Sequence, residues 1–246
     1  MGKFRLGSAV FAALITSPAI AADVAVPVYQ PPPPAVVVYD WTGCYIGAGV
    51  GYAWQRDKDD ETVTATHVPS VFSPADAARP SGVKAGGYAG CNWQISRSFM
   101  AGLEGDAEYA NLKATTIFPN TVRPDYYEVR TDFQGSIRGR VGVTFDRVLF
   151  YVTGGIALAP IKHTYFGGNV ESFERIRVGG TVGAGLEYLF SYNWIGRVEY
   201  RYADFGQVTN DSVIAFPGFT EKHRITENAV RVGISYRFGN PSVARY

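Results

Sequence analysis

The sequence predicts an all-β fold: an eight-stranded antiparallel transmembrane β-barrel of the outer-membrane type, with short periplasmic turns and four long extracellular loops. Three observations carry this expectation. Extended segments with period-two alternation recur eight times after Trp41, and that period places alternate side chains on opposite faces of a strand. The connections between them alternate between tight and long, the asymmetry of a membrane barrel. Aromatic residues gather at both ends of the segments, where amphipathic rings favour a membrane interface.

The 246-residue chain begins with Lys3 and Arg5, an apolar stretch over 9–15, and the small residues Ala19-Ile20-Ala21. This three-part pattern reads as a secretory signal peptide, residues 1–21, cut near Ala21 or Ala22. Thr16, Ser17 and Pro18 interrupt a run already shorter than the roughly 20 apolar residues a spanning helix needs. Residues 22–40 contain four consecutive prolines, 31–34, and read as an extended periplasmic spacer. The barrel is expected over 41–238, followed by a short periplasmic tail, 239–246. No later stretch is long and apolar enough for a spanning helix, so a membrane-inserted chain must cross as strands.

The eight strands are placed near 42–54, 82–95, 98–110, 130–145, 147–159, 175–190, 193–204 and 226–238. Tight connections fall near 96–98, 146–148 and 191–193. The long ones, 55–81, 111–129, 160–174 and 205–225, are rich in Pro, Asn, Asp and Thr. Parity then assigns the faces. In the third strand Phe99, Ala101, Leu103, Gly105, Ala107 and Tyr109 point outward, with Glu104, Asp106 and Glu108 inward. In the fourth, Phe133, Ile137, Val141 and Phe145 oppose Gln134, Ser136, Arg138 and Arg140. The sixth sets Val178, Val182, Leu186 and Tyr188 against Arg177 and Glu187. The seventh sets Trp194, Val198, Tyr200 and Tyr202 against Arg197, Glu199 and Arg201, and the eighth sets Val230, Val232, Ile234, Tyr236 and Phe238 against Arg231, Gly233 and Arg237. The fifth strand is apolar on both sides, and its facing stays open.

Trp93, Phe99, Phe145, Phe190, Trp194 and Phe238 fall at the periplasmic ends, and Tyr52, Trp54, Tyr109 and Tyr202 at the other. A soluble lipocalin-like barrel is the rival, but its outward aromatics would need a second sheet or a helix to cover them. A formal net charge of +1 gives no reason to expect nucleic acid as a partner. Cys44 and Cys91 lie at similar heights on the first two strands and share a face by parity, so export makes a structural disulfide the preferred reading.

An eight-stranded barrel is just wide enough for side chains to fill it. Counting from the periplasmic end places Glu104 and Glu108 near Arg138, Arg140 and Lys84, and Glu199 near Arg231. The expected lumen is a charge network of Lys84, Glu104, Asp106, Glu108, Arg138, Arg140, Glu187, Arg197, Glu199, Arg201 and Arg231, because buried charges are tolerated only when paired. A narrow porin-like channel is the alternative. Catalysis is not expected. His67, His163 and His223 fall in or beside predicted outer loops, with no nucleophile triad or metal-ligand spacing around them, and no cofactor is expected.

The stretches "VYDWTGCYIGAGVGYAW" (38–54), "GGYAGCNWQ" (86–94) and "VRVGISYRF" (230–238) resemble the small outer-membrane immunogenic proteins of alphaproteobacteria, surface-antigen relatives of the eight-stranded outer membrane protein A barrel. The resemblance spans nearly the whole chain and implies an integral outer-membrane location. It also implies an assembly signal for the outer-membrane insertion machinery in Arg231, Gly233, Tyr236 and Phe238. Related chains usually stop at that Phe, whereas here Gly239, Asn240 and Pro241 end the strand. Some members of the family bind hemin, which makes the three histidines candidate ligands. The expected role is a structural surface protein contributing to envelope integrity. Its expected partners are outer-membrane lipids and the insertion machinery, with peptidoglycan or host surface molecules as further candidates.

Overall fold

A computed structural model describes residues 39–63, 79–117, 126–166, 170–191, 193–212 and 219–238. The signal peptide, most of the Pro-rich spacer, the tail and His67 lie outside the described residues. The strands are β1 Gly43–Val63, β2 Ser81–Gln94, β3 Phe99–Ile117, β4 Tyr126–Phe145, β5 Val148–Phe166, β6 Val170–Leu189, β7 Trp194–Ser212 and β8 Phe219–Arg237. Each pairs antiparallel with its neighbours, and β8 returns to β1 to close the barrel. Beyond the end of β8, the Phe238 N–H still donates to the Cys44 carbonyl at 2.8 Å, so the seam stays laced to its periplasmic edge.

The period-two pattern produces the expected division of faces. Phe99, Leu103, Tyr109, Phe133, Ile137, Val141 and Phe145 are exposed on the outside, while Glu104, Glu108, Arg138 and Arg140 are buried inside. The structure also decides β5. Leu149, Tyr151, Thr153, Ala157, Ala159, Ile161 and His163 point inward, and Phe150, Val152, Ile156 and Leu158 point outward.

The strands run further than the alternation suggested. Most of 160–174, expected as a long loop, is paired strand: Ile161 lies opposite Arg175, and Phe166 opposite Val170. The β7 and β8 extensions pair up to Ser212 and Phe219. Above the membrane neither face of a strand must be apolar, so the sequence loses its alternation while the backbone hydrogen bonds continue. Three register shifts, at Tyr109/Leu112, Thr131/Gly135 and Asp204/Gln207, occur near this outer end, and Gly206 takes φ +72° at the last of them, a conformation that favours glycine.

At the opposite end β4 turns tightly into β5 through Asp146, whose φ of 53° a short polar side chain tolerates. Trp93, Phe99, Phe145, Phe190, Trp194 and Phe238 are exposed at this end, and Tyr52, Trp54 and Tyr109 at the other.

Candidate functional site

Strand parity sends the charged side chains of β2, β3, β4, β6, β7 and β8 into the lumen, where they meet at mid-height. Glu104 is the hub. One carboxylate oxygen accepts from Arg138 Nη2 at 2.6 Å. The other accepts from Arg197 Nη2 at 2.6 Å, Arg140 Nη1 at 3.2 Å and the Tyr45 hydroxyl at 2.6 Å. Glu187 accepts from Arg140 at 2.8 Å and Arg197 at 2.5 Å. Higher up, Arg138 also donates to Glu199 at 2.8 Å and Asp106 at 3.0 Å. Arg231 reaches Glu108 at 2.7 Å and Glu199 at 3.3 Å, and Arg201 reaches Asp106 at 3.3 Å. Lys84 holds Glu108 at 3.0 Å and Glu227 at 2.9 Å, and also donates to Gln134.

Among the described residues this belt contains six carboxylates, Glu104, Asp106, Glu108, Glu187, Glu199 and Glu227, and six cations, Lys84, Arg138, Arg140, Arg197, Arg201 and Arg231. The equal numbers matter because a buried charge without a counter-charge costs several kcal/mol. Aromatic faces add to the packing: the Arg140 guanidinium lies 4.1 Å from the Tyr151 ring centroid and that of Arg197 lies 4.2 Å from Tyr88, in the cation–π arrangement.

The belt sits between two apolar layers. On the periplasmic side Trp41, Met100, Leu149, Tyr151, Leu189 and Ile195 form one cluster. Trp41 is fully buried; its backbone N–H donates to Gln94 at 2.7 Å and its indole N–H to the Asp146 carbonyl at 3.3 Å. Below it Arg237 donates to the Asp40 carbonyl. On the extracellular side Val129, Ala157, Ala159, Ile161, Ala203, Phe205 and Ile225 form the second cluster.

Every residue expected in the lumen network therefore lies in the lumen and within reach of an opposite charge. Glu227, Tyr45, Tyr88, Tyr151 and Trp41 were not foreseen. Parity with Arg231 could have found Glu227, and parity with the inward glycines could have found the two tyrosines of β1 and β2. Trp41 precedes the first strand and carries no periodic signal.

The sequence places His163 in or beside an outer loop, but in the structure it belongs to β5, is 1 % exposed and faces the lumen, with Nε2 at 3.3 Å from Asp57 Oδ2. The cause is the extension of β5 through 160–166. His223 lies in β8; its side chain is outside the described residues. Cys44 and Cys91 are direct cross-strand partners joined by a disulfide, on the outward face near the periplasmic end. Within the proposed assembly signal, Arg231 belongs to the charge belt, Gly233 faces inward, and the exposed Tyr236 and Phe238 rings stand 5.5 Å apart.

Known proteins place this architecture. Residues 9–238 match the family described as outer membrane protein beta-barrel domain. The chain is 36 % identical over 213 residues to a 25 kDa outer-membrane immunogenic protein of Brucella abortus, covering 85 % of this chain and 86 % of that one. It is 32 % identical over 242 residues to a 31 kDa outer-membrane immunogenic protein of Brucella melitensis, covering 92 % and 96 %. The crystal structure of the outer membrane protein OprG from Pseudomonas aeruginosa shares the fold, with a TM-score of 0.51 at 12 % identity over 83 % of this chain and 100 % of that one. The chain thus belongs to the outer membrane protein β-barrel family, and it is an integral outer-membrane surface protein similar to the immunogenic proteins of Brucella.

Proposed function

We propose that the protein is a structural barrel whose lumen is closed to ions, and that it contributes to envelope integrity by anchoring in lipid while presenting its outer segments at the surface. The observation that supports this most directly is Arg138. It is 0 % exposed, and its guanidinium spans the lumen from β4 to Glu104 and Asp106 on β3 and Glu199 on β7. Such crosslinks leave an ion no continuous polar path that it could enter without breaking paired charges. The expected role is structural rather than enzymatic, in keeping with a belt whose carboxylates are all engaged with cations.

The insertion machinery would read Arg231, Gly233, Tyr236 and Phe238 on the closing strand. Peptidoglycan, through the spacer, and host surface molecules, through the extracellular segments, are the further partners this placement allows. Hemin capture would have to rest on His67 and His223, since His163 is turned into the lumen.

The test is planar-bilayer conductance of the refolded mature protein, with folding checked by its compact band on unboiled gels. No steady conductance step is expected; a steady, ion-selective step would overturn the closed-lumen reading. Envelope integrity is tested by deleting the gene and measuring detergent sensitivity. Sensitivity should rise and be restored by the intact gene.

A further inference from the structure

The outer rim carries cations that differ in their partners. Lys113 lies 2.9 Å from Glu128, Arg130 lies 2.6 Å from Asp132 and Arg224 lies 2.9 Å from Asp204. Arg56 and Arg79 are exposed, yet among the described residues neither forms an ion pair. Both line one cavity of about 570 Å³ together with Tyr52, Trp54, Ser81 and Asn228.

Backbone topology creates this cavity. The pairing of β1 with β2 stops at Trp54 and Ser81, while β1 continues against β8, with Arg56 opposite Thr226. Above Ser81, Arg79 and Pro80 are the described residues that flank β1 on the β2 side, and Arg79, just before β2, lines the same space as Arg56. The Gln55 N–H holds this corner by donating to the Pro80 carbonyl at 2.7 Å.

The position in the membrane selects the ligand. The cavity sits at the end of the barrel opposite the short turns, immediately above the outward Tyr52 and Trp54, so it opens at the outer-leaflet interface. Two guanidinia suit phosphate, which they can bind bidentately. Flat aromatic faces and the Ser81 and Asn228 side chains suit a sugar ring. Directly below, the outward Val50 and Val230 continue the apolar wall along which acyl chains would lie. We propose that this cavity is a binding site for a phosphorylated glycolipid of the outer leaflet, with Arg56 and Arg79 clamping the phosphate and the sugar resting on Tyr52 and Trp54. The proposal rests on the outer-membrane placement and is independent of whether the lumen conducts.

The experiment uses the refolded mature protein in detergent and measures binding of diphosphorylated lipid A, dephosphorylated lipid A and phosphatidylglycerol. Diphosphorylated lipid A should bind most tightly, and added salt should weaken it. The double variant Arg56→Ala/Arg79→Ala should lose about tenfold in affinity, while Arg130→Ala, which removes one rim cation already engaged with a carboxylate, should leave binding unchanged. Arg79→Ala alone, outside any strand, provides the same readout should the double variant fold poorly, and should lose about threefold. Unchanged binding in the Arg79 variants, an equal loss in Arg130→Ala, or phosphatidylglycerol binding as tightly as lipid A would each overturn the assignment.

Discussion

Replacing Glu104 with alanine tests whether the charge belt holds the barrel together. Glu104 is 2 % exposed and accepts from Arg138, Arg140, Arg197 and Tyr45. Removing one member of a buried ion pair costs about 3–5 kcal/mol when its partner is left uncompensated. Here each guanidinium keeps another carboxylate: Arg138 retains Glu199 at 2.8 Å, while Arg140 and Arg197 retain Glu187 at 2.8 and 2.5 Å. The belt nonetheless carries one excess positive charge, and the Tyr45 hydroxyl loses its acceptor. The expected loss is therefore at the lower bound, about 3 kcal/mol. The assay is a urea titration of the protein refolded in phospholipid vesicles, followed by tryptophan fluorescence and by the compact band on unboiled gels. A second variant, Glu104→Ala/Arg197→Leu, removes one charge of each sign and should recover at least about half of that loss through coupling between the two sites. If Glu104→Ala stays within about 0.5 kcal/mol of the parent, the range of an inconsequential surface change, the belt is not a stabilising element. A double variant as unstable as the sum of the two singles would refute the role assigned to charge balance.

Three further outcomes are expected. Trp41→Ala should cost about 3–5 kcal/mol in the same titration, the usual penalty for truncating a fully buried tryptophan, because Trp41 is 0 % exposed in the periplasmic cluster. Cys44→Ser/Cys91→Ser should lower the urea midpoint by the equivalent of up to about 4 kcal/mol, the loop-entropy estimate for a bridge across 47 residues; dithiothreitol added during unfolding should do the same to the parent and nothing further to the variant. Asp204, above the outer aromatic ring, is held below the usual carboxylate range, first by its hydrogen bond from Arg224 and then by the Gly206 N–H. A depressed carboxyl pKa stabilises the fold above the ordinary carboxylate range and loses that contribution as pH falls through the folded value. The parent should thus lose a small increment of stability between neutral and strongly acidic pH that Asp204→Asn lacks, measured as the difference in urea midpoints.

Legibility in the sequence followed the chemistry of each level along the barrel. β3, β4 and β7 were readable because charged and apolar residues alternate across a face that meets lipid and a face that meets the ionic belt, as in Glu104-Gly105-Asp106 or Arg197-Val198-Glu199. β5 was unreadable because its inward residues, Leu149 and Tyr151 below and Ala157, Ala159 and Ile161 above, belong to the two apolar lumen layers. With lipid outside and apolar packing inside, neither face is marked by charge. The upper strand ends were hidden for the opposite reason: in Lys162-His163-Thr164 and Glu171-Ser172 both faces are polar, and only backbone pairing reveals the strand. The misplacement of His163 follows from that. Trp41 lies in no repeating pattern, so its burial depends on tertiary closure alone.

The glycines explain how so many long side chains share so narrow a space. Along the inner face of β1 and β2, Gly47, Gly51 and Gly90 present bare backbone, and neighbouring side chains together with cross-strand carbonyls occupy the room a methyl group would need. A Cβ at Gly47 would sit 2.5 Å from Tyr88 Cζ, one at Gly90 2.6 Å from the Tyr45 hydroxyl, and one at Gly51 2.9 Å from Arg231 Cγ. Across the barrel Gly185 stands in the same relation to Tyr151, at 2.5 Å. The large residues that complete the belt are thus accommodated by walls stripped of side chains, so the steric fit depends on the glycines as well as on the residues that pair charges. Neutralising one charge leaves the steric fit in place, and deleting one aromatic leaves the remaining ion pairs. On the closed-lumen reading proposed above, an open path requires losing both together. For that reason single lumen substitutions such as Glu104→Ala are expected to lower stability before they produce conductance.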